Sequence, residues 1–210
     1  MSNFIHQHQP LILASGSQIR AKLLQSLGLD FLIIPSHCDE TLIKNQHKSN
    51  NVADLGFALA TSKALTVSQQ HPNHWVLAAD QLCVIENKIL DKPLNHETAV
   101  QHLHSLSGKK HQQMACLCLA YNNEIVWKHH EVASLTMHHL SDEVIESYLR
   151  IEQPYQSCGA YQFETFGKWL FKEVDGHEDT ILGLSLMALT NALMELEIIQ
   201  FTSLRDKNRT

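Results

Sequence analysis

The stretch LILASGSQIRAKLLQSLG, residues 11–28, changes its hydrophobic period part-way along, and that change decides the fold class. Residues 11–14 form a continuous apolar run, as a strand buried on both faces requires. Beyond Ser15-Gly16-Ser17, Ile19, Leu23, Leu24 and Leu27 recur at helical spacing, with Ser15 or Ser17 as the N-cap and Gly28 as the stop. A buried strand that turns directly into a helix is the building unit of α/β proteins. Working outward, residues 31–34 predict a second buried strand closed by Pro35, followed by a polar loop at 45–51 and a long helix at 52–69. Residues 75–79 predict another buried strand, ending on Asp80, and 82–85 and 89–90 flank a turn at Glu86-Asn87-Lys88. Asn95 caps a helix that Gly108 terminates, residues 114–121 and 125–135 form a hairpin around Asn122-Asn123, and Ser141 caps a helix through Leu149. Strands at 161–163 and 169–174 and a helix at 186–196 complete the pattern. It predicts one α/β domain over residues 1–210, with a mixed sheet flanked by helices and frayed ends at 1–10 and 202–210.

The chain has 210 residues, a net charge of −6 and 44% hydrophobic residues, enough for one core that needs no covalent staple. The acidic balance excludes a protein that coats a nucleic-acid polymer, so any phosphate ligand would need cations concentrated locally. The longest uncharged run, 180–194, contains Ser185, Thr190 and Asn191 and falls short of the roughly 20 apolar residues of a membrane span. The first ten residues lack the basic and apolar regions of a signal peptide. The five cysteines show no C-x-x-C spacing and sit mostly in apolar runs, which fits a reduced, cytoplasmic setting. The 15 histidines are mostly scattered, and no metal-ligand spacing joins them, so they read as solvated or structural groups.

Three features can carry chemistry. The turn SGSQIR, 15–20, places two hydroxyls and Arg20 at a helix N-terminus, where unpaired N–H groups and the dipole favour an anion. It also reads as an ordinary serine cap, and without G-K-[ST] it is no P-loop. Lys63 continues the apolar stripe of Val52, Leu55 and Leu59, so it either snorkels or meets an anion. Asp80 stands at the carboxyl end of a hydrophobic strand, where α/β folds bind ligands. Lys92 precedes Pro93 in a turn, and Asp39-Glu40 follows the preceding strand. Carboxylates with lysines and an arginine nearby are the parts of Mg²⁺-assisted phosphoryl chemistry.

From residue 11 to 196 the chain resembles the Maf family of nucleoside triphosphate pyrophosphatases. LILASGSQIRAKLL resembles the family's opening strand and S-x-S-P-x-R turn, HCDET (37–41) its x-x-D-E-T loop, and AADQLCVIENKILDKP (78–93) its strand, aspartate and G-K-P turn. HLHSLSGK resembles the L-x-x-L-S-G helix end, while CGAYQFETFGKWLFKEVDG and ILGLSL resemble the late hairpin and V-G-L-P-L segment. The resemblance implies an architecture like inosine triphosphate pyrophosphatase, with an elongated mixed sheet and a cleft between two lobes. It also implies hydrolysis of a nucleoside triphosphate to the monophosphate and pyrophosphate. Asp80 would be the general base, Glu40 and Asp80 would hold Mg²⁺ or Mn²⁺, and Ser15, Arg20, Lys63 and Lys92 would face the phosphates. Relatives often form homodimers.

Gln81 after the aspartate and Glu164 in E-x-F-G resemble the 7-methyl-GTP pyrophosphatase branch. A carboxylate only accepts hydrogen bonds, which suits the adjacent N1–H and N2–H₂ of guanine and repels the two carbonyl oxygens of uracil or thymine. Some residues depart from the family pattern. Ile19 takes the place of a tryptophan that could stack on the cationic base, a loss of roughly 0.5–2 kcal/mol. Gln18 replaces the turn proline and Ala21 a second arginine. Asp91 replaces a glycine and could repel phosphate, Ala115-Cys116 replaces Thr-Gly, and Ser185 replaces a proline. Two alternatives therefore stay open: UTP, dTTP or a broader set as substrate, and a nucleotide-binding regulator of division with little turnover.

Overall fold

The computed structural model describes residues 4–49 and 51–202, so residues 1–3 and 203–210 of the expected frayed ends, and Asn50 of the polar loop, lie outside it. A short strand, β1 (Ile5–Gln7), precedes the strand–turn–helix unit read from the sequence, β2 (Leu11–Leu13) and α1 (Gln18–Ser26). Ser17 is the cap: its side chain accepts from the backbone N–H of Arg20 at 3.4 Å. Gly28, at φ +71°, ends the turn as expected. β3 (Phe31–Ile33) pairs in parallel with β2, yet it is not the buried strand expected, because it lies at the sheet edge with Leu32 and Ile33 half-exposed. An apolar run of three or four residues looks the same at an edge as in the middle of a sheet.

A helix that the hydrophobic period did not reveal follows, α2 (Glu40–Gln46), capped by Asp39, which accepts from Leu42 N–H at 2.9 Å. It buries no residue, so it carries no apolar stripe to read. α3 (Val52–Ser68) matches the expected long helix and packs Leu59, Ala60 and Ala64 against the sheet. At Gly56 a methyl group would collide with Cys116 Sγ, so the glycine makes room for the bulk of that cysteine.

β4 (Val76–Ile85) does not stop at Asp80 but runs through it. β6 (Lys110–Tyr121) explains the difference: it pairs antiparallel with β4 from Val76↔Ala120 to Val84↔Gln112, and this ladder carries the strand past the charged residue. The other edge of β4 is shared. β2 pairs with it at Val76 and Leu77, and β5 (Lys88–Leu90) pairs at 83–85 after a turn in which Glu86 and Asn87 both have positive φ. Between these two partners, residues 78–82 have a strand neighbour on the β6 side alone.

α4 (His96–Leu106) is capped by Asn95, and β6 returns as β7 (Glu124–Met137) through Asn122-Asn123, both with φ near +60°, as expected. α5 (Asp142–Glu152) follows Ser141. Residues 161–163 are not a strand. They connect two short 3₁₀ turns at Cys158–Ala160 and Phe166–Leu170, and the alternation that suggested a strand reflects Tyr161 and Phe163 entering the core. β8 (Phe171–Asp175), α6 (Glu178–Ile181), α7 (Leu186–Glu195) and β9 (Ile199–Phe201) complete the described chain. β9 pairs with β1, so residues 5–7 are ordered in a ladder rather than frayed.

The main sheet has the order β3-β2-β4-β6-β7-β8, with β5 beside β4, and is parallel only among β3, β2 and β4. One apolar core joins Leu11, Leu13, Leu77 and Leu117 to α1 and α7; a second joins Cys83, Ile85 and Leu135 to α4 and α5. No helix among the described residues is long and apolar enough to cross a membrane.

The second core contains a buried polar group. His111 lies 2.9 Å from the Tyr161 hydroxyl, which also accepts from Gln113 at 2.7 Å, and burial pushes the imidazole down from 6.5 to about 4. Above pH 6.5 the ring is neutral in both folded and unfolded chains. Below it the unfolded chain takes up a proton that the folded one refuses, so stability falls as pH drops towards 4. His111 is expected to account for about 3 kcal/mol of this loss. Urea denaturation at a series of pH values should show that His111→Gln flattens the slope across this window.

Candidate active site

The open stretch of the β4 edge faces a cleft of about 900 Å³, at the upper end of the roughly 300–1,000 Å³ usual for ligand sites. Asp80 projects from the middle of β4 towards α3 and is 7% exposed. Lys63 reaches it from the inward face of α3, and of the two readings of that lysine the anion is the one realised. Its Nζ donates to Asp80 Oδ1 at 2.6 Å and lies 2.8 Å from Glu40 Oε1 at the start of α2. Burial acts to strip the proton from Lys63, but Asp80 and Glu40 outweigh it and hold the ammonium above its ordinary range. Burial likewise acts to raise the Glu40 carboxyl. The hydrogen bond from Lys63 and the fields of Lys63, Lys92 and Lys44 overcome this and hold it below its usual value.

The turn before α1 divides its two hydroxyls. Ser17 serves as the cap, while Ser15 Oγ accepts from Ser17 N–H and from the Arg20 guanidinium, each at 3.2 Å. Arg20 Nε donates to the Gly183 carbonyl at 3.1 Å. Burial pulls the guanidinium below its ordinary value, against the fields of Asp80, Cys158 and Glu40. Gly183 lies at φ +93°, and a Cβ there would stand 3.0 Å from Arg20 Nε and 3.1 Å from Gln81 Oε1, so only glycine lets this turn approach both side chains. Gln81 donates its amide to the Ile181 carbonyl and thereby ties the same turn to β4.

Lys92 is exposed on the cleft wall beside the buried Pro93, and Ile19 and Glu164 also line the cleft, the first half-buried and the second exposed. All nine residues singled out in the sequence thus border one cavity, and none of the histidines does. One charged side chain there carries no sequence signal of its own. Lys44, one turn beyond Glu40 on α2, makes a 2.5 Å ion pair with Asp91. The i, i+4 spacing of Glu40 and Lys44 was the available signal, but it means something only once α2 is known to be a helix. Asp91, which could repel phosphate, is the partner of Lys44 in this pair. Ser185, at the expected proline, donates to Glu131.

No three His, Cys, Asp or Glu side chains among the described residues gather to hold a metal ion. Glu40 and Asp80 converge on the same ammonium, and two carboxylates suit an ion such as Mg²⁺ that takes its other ligands from water and phosphate.

The family model for Maf, described as Maf-like protein, matches residues 10–196. The chain belongs to the Maf-like family. This Maf-like chain is 60% identical over 199 residues to a nucleoside triphosphate pyrophosphatase of Legionella pneumophila (strain Corby), covering 95% of this chain and 99% of that one. It is 36% identical over 195 residues to a protein of the same name from Rhodopseudomonas palustris (strain BisB18), covering 92% and 96%. Among solved structures, a HAM1 protein from Coxiella burnetii aligns with a TM-score of 0.48 at 15% identity, over 89% of this chain and 98% of that one.

Removing Lys63 leaves Asp80 buried beside Glu40 with no counter-ion. Lys63→Met is expected to cost roughly 3 kcal/mol of stability. Adding Asp80→Asn to that variant should restore part of the loss, which denaturant titration of the three proteins would measure.

Proposed function

We propose that this Maf-like protein hydrolyses a nucleoside triphosphate to the nucleoside monophosphate and pyrophosphate, with 7-methyl-GTP or a related modified nucleotide as substrate and Mg²⁺ or Mn²⁺ as cofactor. The observation that carries the proposal is the Glu40–Lys63–Asp80 triad facing the Ser15–Arg20 pair across one cleft. The name carried by the Legionella and Rhodopseudomonas relatives supports the same reaction.

Phosphoryl chemistry asks the protein mainly for positioning and charge neutralisation. Lys63 holds Oδ1 of Asp80, and the second carboxylate oxygen is left to take a proton from water. The water oxygen bonds to the α-phosphorus, the α-phosphorus bond to the bridging oxygen breaks, and pyrophosphate leaves with that oxygen. The proton passes to Asp80 and then to solvent. Ser15, Arg20 and Lys92 bind and orient the phosphate chain, with the exposed α1 N-terminus adding its dipole. A divalent ion held by Glu40 and Asp80 would supply further charge neutralisation when bound. At the rim, Glu164 accepts from the N1–H and N2–H₂ edge of guanine, and its negative charge suits a methylated, cationic base.

A second reading, with UTP, dTTP or a broader set as substrate, draws support from Ile19, which offers an aliphatic surface where an indole would stack. A panel of nucleoside triphosphates assayed for pyrophosphate release with each metal ion separates the two. The expected result is strongest release from 7-methyl-GTP, loss of turnover by at least about 100-fold in Asp80→Asn, and a shift towards pyrimidines in Glu164→Gln. Full turnover in Asp80→Asn would remove the mechanism, and an unchanged base preference in Glu164→Gln would remove the guanine assignment. Tight triphosphate binding without release under either metal would instead support a nucleotide-binding regulator.

A further inference from the structure

Five cationic side chains and four carboxylates line the cleft, so its charge is close to balanced, and two of the cations, Lys63 and Lys44, are held by its carboxylates. Glu40 and Asp80 share Lys63, and Glu164 stands at the rim. The remaining carboxylate, Asp91, belongs to none of these groups. It leaves the turn after β5, immediately before Lys92, and closes on Lys44 at 2.5 Å. Lys44 is carried by the same helix as Glu40, one turn further on, so its ammonium is presented to the same cavity. Burial acts to lower its proton affinity, but Asp91, Asp80 and Glu40 outweigh this and keep it charged.

We propose that Lys44 is an additional ligand for the phosphate chain, and that Asp91 is an internal anion which occupies Lys44 until a polyphosphate displaces it. The assignment deepens, and rests on, the pyrophosphatase reading of the cleft. The side chains of Lys44 and Asp91 are 31% and 56% exposed, so the pair is wet and its exchange costs little, unlike the buried pairing at Lys63. A carboxylate and a phosphoryl oxygen satisfy an ammonium in the same way, and a ligand with several charges wins that competition more readily than one with a single phosphate. Asp91 thus competes with every phosphate ligand for Lys44, more effectively with a monophosphate than with pyrophosphate or a triphosphate, and it weakens the hold on the pyrophosphate product.

The test is a double-mutant cycle read by calorimetric binding of inorganic pyrophosphate to the whole protein, with thermal denaturation confirming that each variant is folded. Asp91→Asn should tighten binding roughly three- to fivefold and Lys44→Met should weaken it by a similar factor. In the Lys44→Met background, Asp91→Asn should have no further effect. Equal tightening with or without Lys44 would overturn the proposal, because Asp91 would then act through its general field. So would a Lys44→Met variant that binds as the parent does, or a parent that binds no pyrophosphate. If the cycle shows coupling while no nucleotide yields pyrophosphate, the Lys44 assignment stands and the reaction fails. If nucleotides are hydrolysed and the cycle is additive, the Lys44 assignment alone fails.

Discussion

The ammonium of Lys63 between the carboxylates of Asp80 and Glu40 is the interaction around which the site is built. A charge in the middle of a buried strand is expensive unless a counter-ion reaches it with good geometry, and even then the pair contributes little net stability. The arrangement therefore asks several elements to cooperate. β6 must hold β4 extended past Asp80, α3 must bring a lysine onto its inward face, and α2 must supply the second carboxylate. On the other edge of β4, β2 has ended and β5 has not begun, and this buried group borders the cleft there.

Charge is distributed unevenly between this centre and its surroundings. Lys63 and Asp80 are nearly enclosed, whereas Lys44, Lys92, Asp91 and Glu164 lie at the accessible margin. Residues at the margin can change with small cost to the fold, since solvent screens them and few packing contacts are lost. In the proposed enzyme, reaction and base preference would thus be set by different layers of one cavity. The net charge of −6 belongs to the outer surface and conceals the cations gathered inside the cleft.

Most of the secondary structure was legible because its boundaries carry local chemistry. Ser17, Asn95 and Ser141 cap helices through their own side chains, Gly28 and Gly108 take positive φ, and Asn122-Asn123 turns the hairpin. The misreadings arose where local pattern and tertiary setting diverge. Asp80 looked like a strand end because propensity disfavours a carboxylate in a strand, and only the β6 ladder reveals that the strand continues. Residues 161–163 looked like a strand because burial alternates there without a pairing partner. The polar helix α2 was invisible to hydrophobic periodicity, and with it went Lys44. The candidate site was legible in its titratable residues, whose gathering in one cleft the fold supplies; the bonds from Arg20 to Gly183 and from Gln81 to Ile181 join residues far apart in the chain and leave no local trace.

The pairing of β1 with β9 gives the domain a clasp between its first and last described strands. The ladder joins the two ends of the described chain and holds only three pairs of residues. Two-stranded ladders of this length are marginal without further support, and here that support is the packing of Ile198 and Ile199, with Ile5 beside them, on the first core. The clasp is therefore a place where the native state opens locally at small cost. Its amides would exchange with solvent through local opening, long before those of β4 and β6 at the centre of the sheet, so the proposed catalytic strand is insulated from motion at the ends of the chain.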